Sequence, residues 1–155
     1  MGNKLAIVLG AGNIGRGFLG QLYSESGYEL LFVDVDETLI EAINAHRAYR
    51  IRLVDNEGTQ TVEISPARAL HSVHDRQAIT EGLLRAEVGA TAVGVRALPH
   101  IAPLLAEGIE RRFTDGIQTP LNLIICENLK GAAGHVRTTV QELLPFELHS
   151  YLEMH

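Results

Sequence analysis

The chain begins with an unbroken apolar run, Leu5 to Leu9, and then changes period. Ile14, Phe18, Leu19 and Leu22 follow at spacings of three and four, the signature of a helix with one apolar face. A second run, Leu30 to Val33, predicts a strand over 29–35, with Gly27 and Tyr28 as helix stop and strand entry. Leu39, Ile40 and Ile43 then predict a helix over 37–45, with Asp36 as its N-cap. Polar and apolar residues alternate over 49–54 and 59–64 around the turn Asp55-Asn56-Glu57-Gly58, which reads as a β-hairpin. Beyond it the pattern predicts a short strand over 69–73, a helix over 76–85 capped by Asp75, and a strand over 87–93. A helix carrying Leu98, Ile101, Leu104, Leu105 and Ile109 follows; Pro99 is tolerated at its start, whereas Pro103 should bend or delay it. The near-continuous apolar run over 121–126 predicts a buried parallel strand. A last helix over 132–144 is stopped by Pro145, and no element is predicted after it.

Strands and helices in alternation predict an α/β fold: an open, doubly wound, mainly parallel sheet of Rossmann type, with the hairpin inserted. Ligands of such sheets bind at the carboxyl ends of the strands. Four segments fall there: Gly10 to Gly15, Asp34, Thr91 to Gly94, and Cys126 to Asn128. The first is Gly10-x-Gly12-x-x-Gly15, between a strand and a helix as dinucleotide binding requires. Gly10 permits the tight turn, Gly12 lets backbone approach a pyrophosphate, and Gly15 lets helix and strand pack closely. Asn13 and Ile14 supply backbone amides at the helix start, where unpaired N–H groups and the helix dipole favour phosphate. Asp34, nineteen positions beyond Gly15, is placed to accept hydrogen bonds from the adenosine ribose and to repel a 2′-phosphate. An S-adenosylmethionine methyltransferase also uses a glycine-rich first loop and an acidic end to its second strand, so that class stays open.

Composition narrows the choice. The 155 residues suffice for one domain, and 46% hydrophobic with 21% charged residues is ordinary for a globular protein. A net charge of −6 without a basic stripe argues against nucleic acid as a partner. No apolar stretch reaches membrane-span length, no export leader is read at the N-terminus, and a lone cysteine, Cys126, fits a reducing compartment. A cytoplasmic location is expected.

The phrases GAGNIGRGFLG (10–20), FVDVD (32–36), TAVG (91–94) and LNLIICENL (121–129) resemble the N-terminal domain of the polyol-specific long-chain dehydrogenases, the mannitol dehydrogenase family. The resemblance runs in order over nearly the whole chain. Val95 departs from it, standing where relatives often carry proline after TAVG. It implies NAD as cofactor, hydride transfer to or from a secondary alcohol of a polyol or polyol phosphate, and no metal. It also implies a second, helical domain with a catalytic lysine in a K-x4-N-x2-H arrangement. The only lysines here, Lys4 and Lys130, lack that context. The expectation is therefore a cofactor-binding domain over 1–155, without the general base, able to self-associate through the face meant for its missing partner domain. A stand-alone dinucleotide-binding regulatory module is the alternative.

On this resemblance Thr91, Val93 and Gly94 would lie along the nicotinamide half. Asn128 would polarise the reacting oxygen of the substrate; without the resemblance, it would cap the next helix. Glu127 could bind the cofactor ribose or accept loop amides, and Arg16 could reach a phosphate or stay in solvent. Cys126 reads as a small core residue, Tyr28 and Tyr49 as packing residues, and Arg111-Arg112 as a charge pair at a helix C-terminus. His71 and His74 have no third ligand at a zinc-like spacing.

Overall fold

The computed structural model describes residues 4–56 and 58–155; Glu57, in the predicted hairpin turn, and residues 1–3 lie outside them. Five parallel strands form the sheet: β1 (Leu5–Leu9), β2 (Glu29–Asp34), β5 (Ala67–His71), β6 (Ala86–Thr91) and β7 (Asn122–Ile125). Their order is β5-β2-β1-β6-β7, so the winding reverses at β1 and a crevice opens above the β1–β6 junction. The hairpin stands apart, β3 (Tyr49–Val54) pairing antiparallel with β4 (Thr59–Ile64). The Rossmann-type sheet with an inserted hairpin is thus as the pattern predicts.

β1 is buried on both faces, which explains its unbroken apolar run. Leu5, Ile7 and Leu9 enter one core with α3 (Arg76–Arg85), α4 (Leu98–Thr114) and α5 (Ala132–Leu143). Ala6 and Val8 enter the other, with Leu19, Tyr23 of α1 (Gly20–Glu25), and Ile40 and Ile43 of α2 (Glu37–His46). Tyr49, Ile51 and Val62 pack the inner side of the hairpin onto this second core, while Arg50 and Glu63 pair across its exposed side. Asp36 caps α2 by accepting from the Leu39 amide at 3.1 Å.

Several expectations need correction. β7 is not a fully buried strand: Asn122 and Ile124 are exposed, because the strand forms the sheet margin. Its apolar run reflects one face on the core and one edge left open. β5 begins at Ala67 and ends at His71, two residues earlier than predicted, and β6 spans Ala86–Thr91 instead of 87–93. Pro103 lies within α4, which starts ahead of it at Leu98, so it does not delay the helix. Asp75 precedes α3 but makes no cap; its carboxylate accepts from the His71 amide instead. After Pro145 a 3₁₀ turn leads into α6 (His149–Met154), whose Tyr151 is buried.

Arg112 is the largest departure. It is 2% exposed, and its guanidinium donates to the carbonyls of Leu83 (2.8 Å) and Leu84 (3.2 Å) in the last turn of α3, and to Thr119. It thus satisfies orphan carbonyls of a neighbouring helix, where the sequence suggested a charge pair at the end of its own helix. Arg111 does face solvent, pairing with Asp115 at 2.9 Å. Replacing Arg112 with Met should destabilise the fold by about 3 kcal/mol, since buried carbonyls lose a charged donor. Arg111→Met should leave the urea midpoint unchanged. Equal midpoints for the two variants would contradict this assignment.

Candidate functional site

The crevice is built from the corner after β1. The Gly10 amide donates to the Val33 carbonyl (2.8 Å) and the Ala92 amide to the Leu9 carbonyl (2.7 Å), so the loop stays locked to β2 and β6 beyond the strand end. Gly10 turns at φ +101°, and a side chain there would strike the Ala92 carbonyl. The chain becomes helical at Asn13. A Cβ on Gly15 would collide with the Gly10 carbonyl oxygen, so the helix starts against the strand end only because residue 15 has none. Gly12 differs: nothing lies within 4 Å of the place its Cβ would occupy. Gly12, Asn13 and Ile14 are all exposed, leaving the opening amides of a helix free for an anion.

Asp34 closes the loop from the β2 side. Its Oδ2 accepts from the Ala11 amide at 2.6 Å, and its Oδ1 from Val35 (2.7 Å) and Asp36 (3.1 Å). A carboxylate offers about four lone-pair sites, so one remains for a further donor such as a ribose hydroxyl. Arg16 does not simply extend into solvent; its Nε donates to the Ala11 carbonyl at 2.6 Å and braces the loop. Together, an open Gly12, exposed helix amides and a spare carboxylate acceptor fit a dinucleotide.

On the other side of the junction, Glu127 accepts loop amides, one of its two readings. Its two carboxylate oxygens accept from the amides of Val93 and Gly94, each at 2.9 Å, tying the loop after β7 to the loop after β6. Val93 is partly buried in the core beside α3 and α4, and Gly94 is exposed with φ +84°. Thr91, expected along the nicotinamide half, is fully buried, with no hydrogen-bond partner for Oγ1 among the described residues. Asn128 is exposed at the same lip and makes no helix cap, because Gly131 is the N-cap of α5. Cys126 is half-buried against the α1-side core, and burial, then Glu127, pushes its thiol pKa up, which disfavours the reactive thiolate.

Beside Asp34, which pairs with His71 in the sheet, the structure supplies what spacing could not show: Glu37 joins His71 and His74, their ligand atoms all within 4.8 Å. Glu37 lies 34 positions before His71, so sequence spacing gave no sign of it. The hydrogen bonding nevertheless suits a metal poorly. His71 Nδ1 accepts from the amides of Val73 (3.1 Å) and His74 (3.3 Å), which leaves the proton on Nε2, where a metal would have to bind. The two rings are stacked at 4.2 Å, so their in-plane lone pairs do not converge.

A match to the mannitol dehydrogenase Rossmann domain covers residues 4–155. The chain belongs to the mannitol dehydrogenase family. It is similar to mannitol-1-phosphate 5-dehydrogenase of Anoxybacillus flavithermus, 41% identical over 96% of this chain and 38% of the relative. The enzymes of that name from Streptococcus mutans (38% identical, covering 91% of this chain and 37% of the relative) and Geobacillus stearothermophilus (41%, 89% and 36%) are also similar. The chain thus spans under two fifths of the length of these relatives. It is a Rossmann domain of a dehydrogenase family. Among the described residues, no helix is long and apolar enough to cross a membrane.

The contrast between the family's second and third glycines is testable. Gly12→Val should fold with the parent's urea midpoint and lose NADH binding by calorimetry, because only the ligand competes for that space. Gly15→Val should lower stability by more than about 2 kcal/mol, through backbone collision. NADH binding retained in folded Gly12→Val would contradict the placement of the pyrophosphate.

Proposed function

We propose that this chain is the NAD-holding part of a dehydrogenase acting on a secondary alcohol of a polyol phosphate, with mannitol 1-phosphate and fructose 6-phosphate as the substrate pair. The observation that carries the reading is the β1 corner: an open Gly12 and exposed helix amides beside Asp34, in a chain 41% identical to a mannitol-1-phosphate 5-dehydrogenase. When bound, NAD supplies the hydride-accepting nicotinamide.

The chain's own residues bind and orient. Gly12, Asn13 and Ile14 offer amides to the pyrophosphate, and Asp34 accepts from the adenosine ribose. Glu127, occupied by two amides, fixes the β6 and β7 loops along the nicotinamide side. Asn128, exposed at that lip, is the candidate donor to the substrate oxygen. A general base must take the hydroxyl proton, and we assign it to the part of the protein outside residues 1–155. Exposed Ile14, Phe18 and Leu22 support a docking face for that part, since they make an apolar stripe on the helix that opens the crevice. The single cysteine, free of any disulfide, is compatible with a cytoplasmic setting.

Calorimetry tests this directly. The isolated chain should bind NADH weakly, give no heat with S-adenosylmethionine, and oxidise no mannitol 1-phosphate. Binding of S-adenosylmethionine in place of NADH would overturn the cofactor reading. Robust turnover by these 155 residues would overturn the assignment of the base elsewhere.

A further inference from the structure

The helix that opens the crevice leaves α geometry directly after Asn13 and Ile14. Gly15–Leu19 form a π-helical turn ahead of α1. The Arg16 amide keeps the α-type bond to Gly12, yet the Gly20 amide skips Arg16 and donates to Gly15. In an α-helix the Gly20 amide would serve the Arg16 carbonyl. That acceptor is met from outside the helix: the Tyr49 hydroxyl donates to it at 2.8 Å. Residue 20 has room for this only as glycine, because a Cβ there would overlap the Tyr49 oxygen.

Tyr49 belongs to the inserted hairpin and is itself held in place. Its ring packs edge-on against Phe32 of β2, with centroids 5.7 Å apart at 71°. Burial raises the pKa of its hydroxyl, so the group stays a donor. Beyond the carbonyl it serves, the Arg16 side chain grips the Ala11 carbonyl, and the Ala11 amide is held by Asp34. A continuous set of contacts therefore joins the hairpin to the glycine loop and to the ribose carboxylate.

We propose that Tyr49 is a positioning residue for the dinucleotide: its hydroxyl holds the π register of the helix start and so sets where the phosphate-binding amides point. This rests on the cofactor reading above. It gives the hairpin a role in cofactor binding that the minimal fold does not need. Without the hydroxyl, the Gly20 amide is the natural donor to Arg16, and the π turn relaxes toward α geometry. Such a change rotates residues 13–19 relative to the loop.

Tyr49→Phe keeps the ring and removes only the donor. Calorimetry should show a five- to tenfold weaker NADH and ADP-ribose affinity, with AMP, anchored mainly through its adenosine, changed less than twofold. The unliganded thermal midpoint should fall by only a few degrees. Unchanged NADH affinity in Tyr49→Phe, with a binding parent chain, would overturn the proposal. An equal loss for ADP-ribose and AMP would also overturn it, since general loosening of the fold affects both. Failure of the parent chain to bind NADH would instead sink the cofactor reading. Gly20→Ala, which displaces the same hydroxyl, should reproduce the ADP-ribose-selective loss, and a non-selective loss would again count against Tyr49.

Discussion

The structure depends on how closely the first helix approaches the end of the first strand. Gly15 sits against the Gly10 carbonyl, and Gly10 against the Ala92 carbonyl, with no room for a β-carbon at either place. That contact lets β2 and β6 continue their hydrogen bonding into the loop, through Gly10 to Val33 and Ala92 to Leu9. Buried backbone groups are thereby satisfied while the opening amides of the helix are left in solvent. A loop relaxed by a single methyl group would still connect strand and helix. It would no longer aim the amides at one point.

Around this corner the protein uses carboxylates as loop clasps. Asp34 binds three amides and Glu127 binds two, each joining segments distant in sequence. Such charge-assisted bonds are short and directional, and they order loops that no sheet ladder reaches. The two clasps stand on opposite sides of the β1–β6 switch point, so both rims of the crevice are set before any ligand arrives. Preorganisation of this kind is the protein's main contribution to chemistry carried by a cofactor.

Much of this was legible in the chain itself, and the reasons are specific. The run Leu5–Leu9 is apolar throughout because both its faces are buried, and Gly10, Gly12, Gly15 and Asp34 keep fixed offsets because one turn geometry demands them. β7 misled because an edge strand with one covered face resembles a central one when its open side also carries Ile124. Arg112 was unreadable because its partners, Leu83, Leu84 and Thr119, are brought to it only by helix packing. Glu37 meets His71 and His74 through the β2–β5 pairing that sets Asp34 beside His71. The partnership of Tyr49 with Arg16 spans 33 residues and arises from a register slip that no periodicity reveals.

The central claim is that the β1 corner is a cradle for a dinucleotide pyrophosphate. A crystal structure of the chain with NADH tests it most directly. The account predicts pyrophosphate oxygens against the amides of Gly12, Asn13 and Ile14, with an adenosine ribose hydroxyl on Asp34. Nucleotide density elsewhere on the molecule, with the Asp34 carboxylate untouched by the sugar, would contradict it.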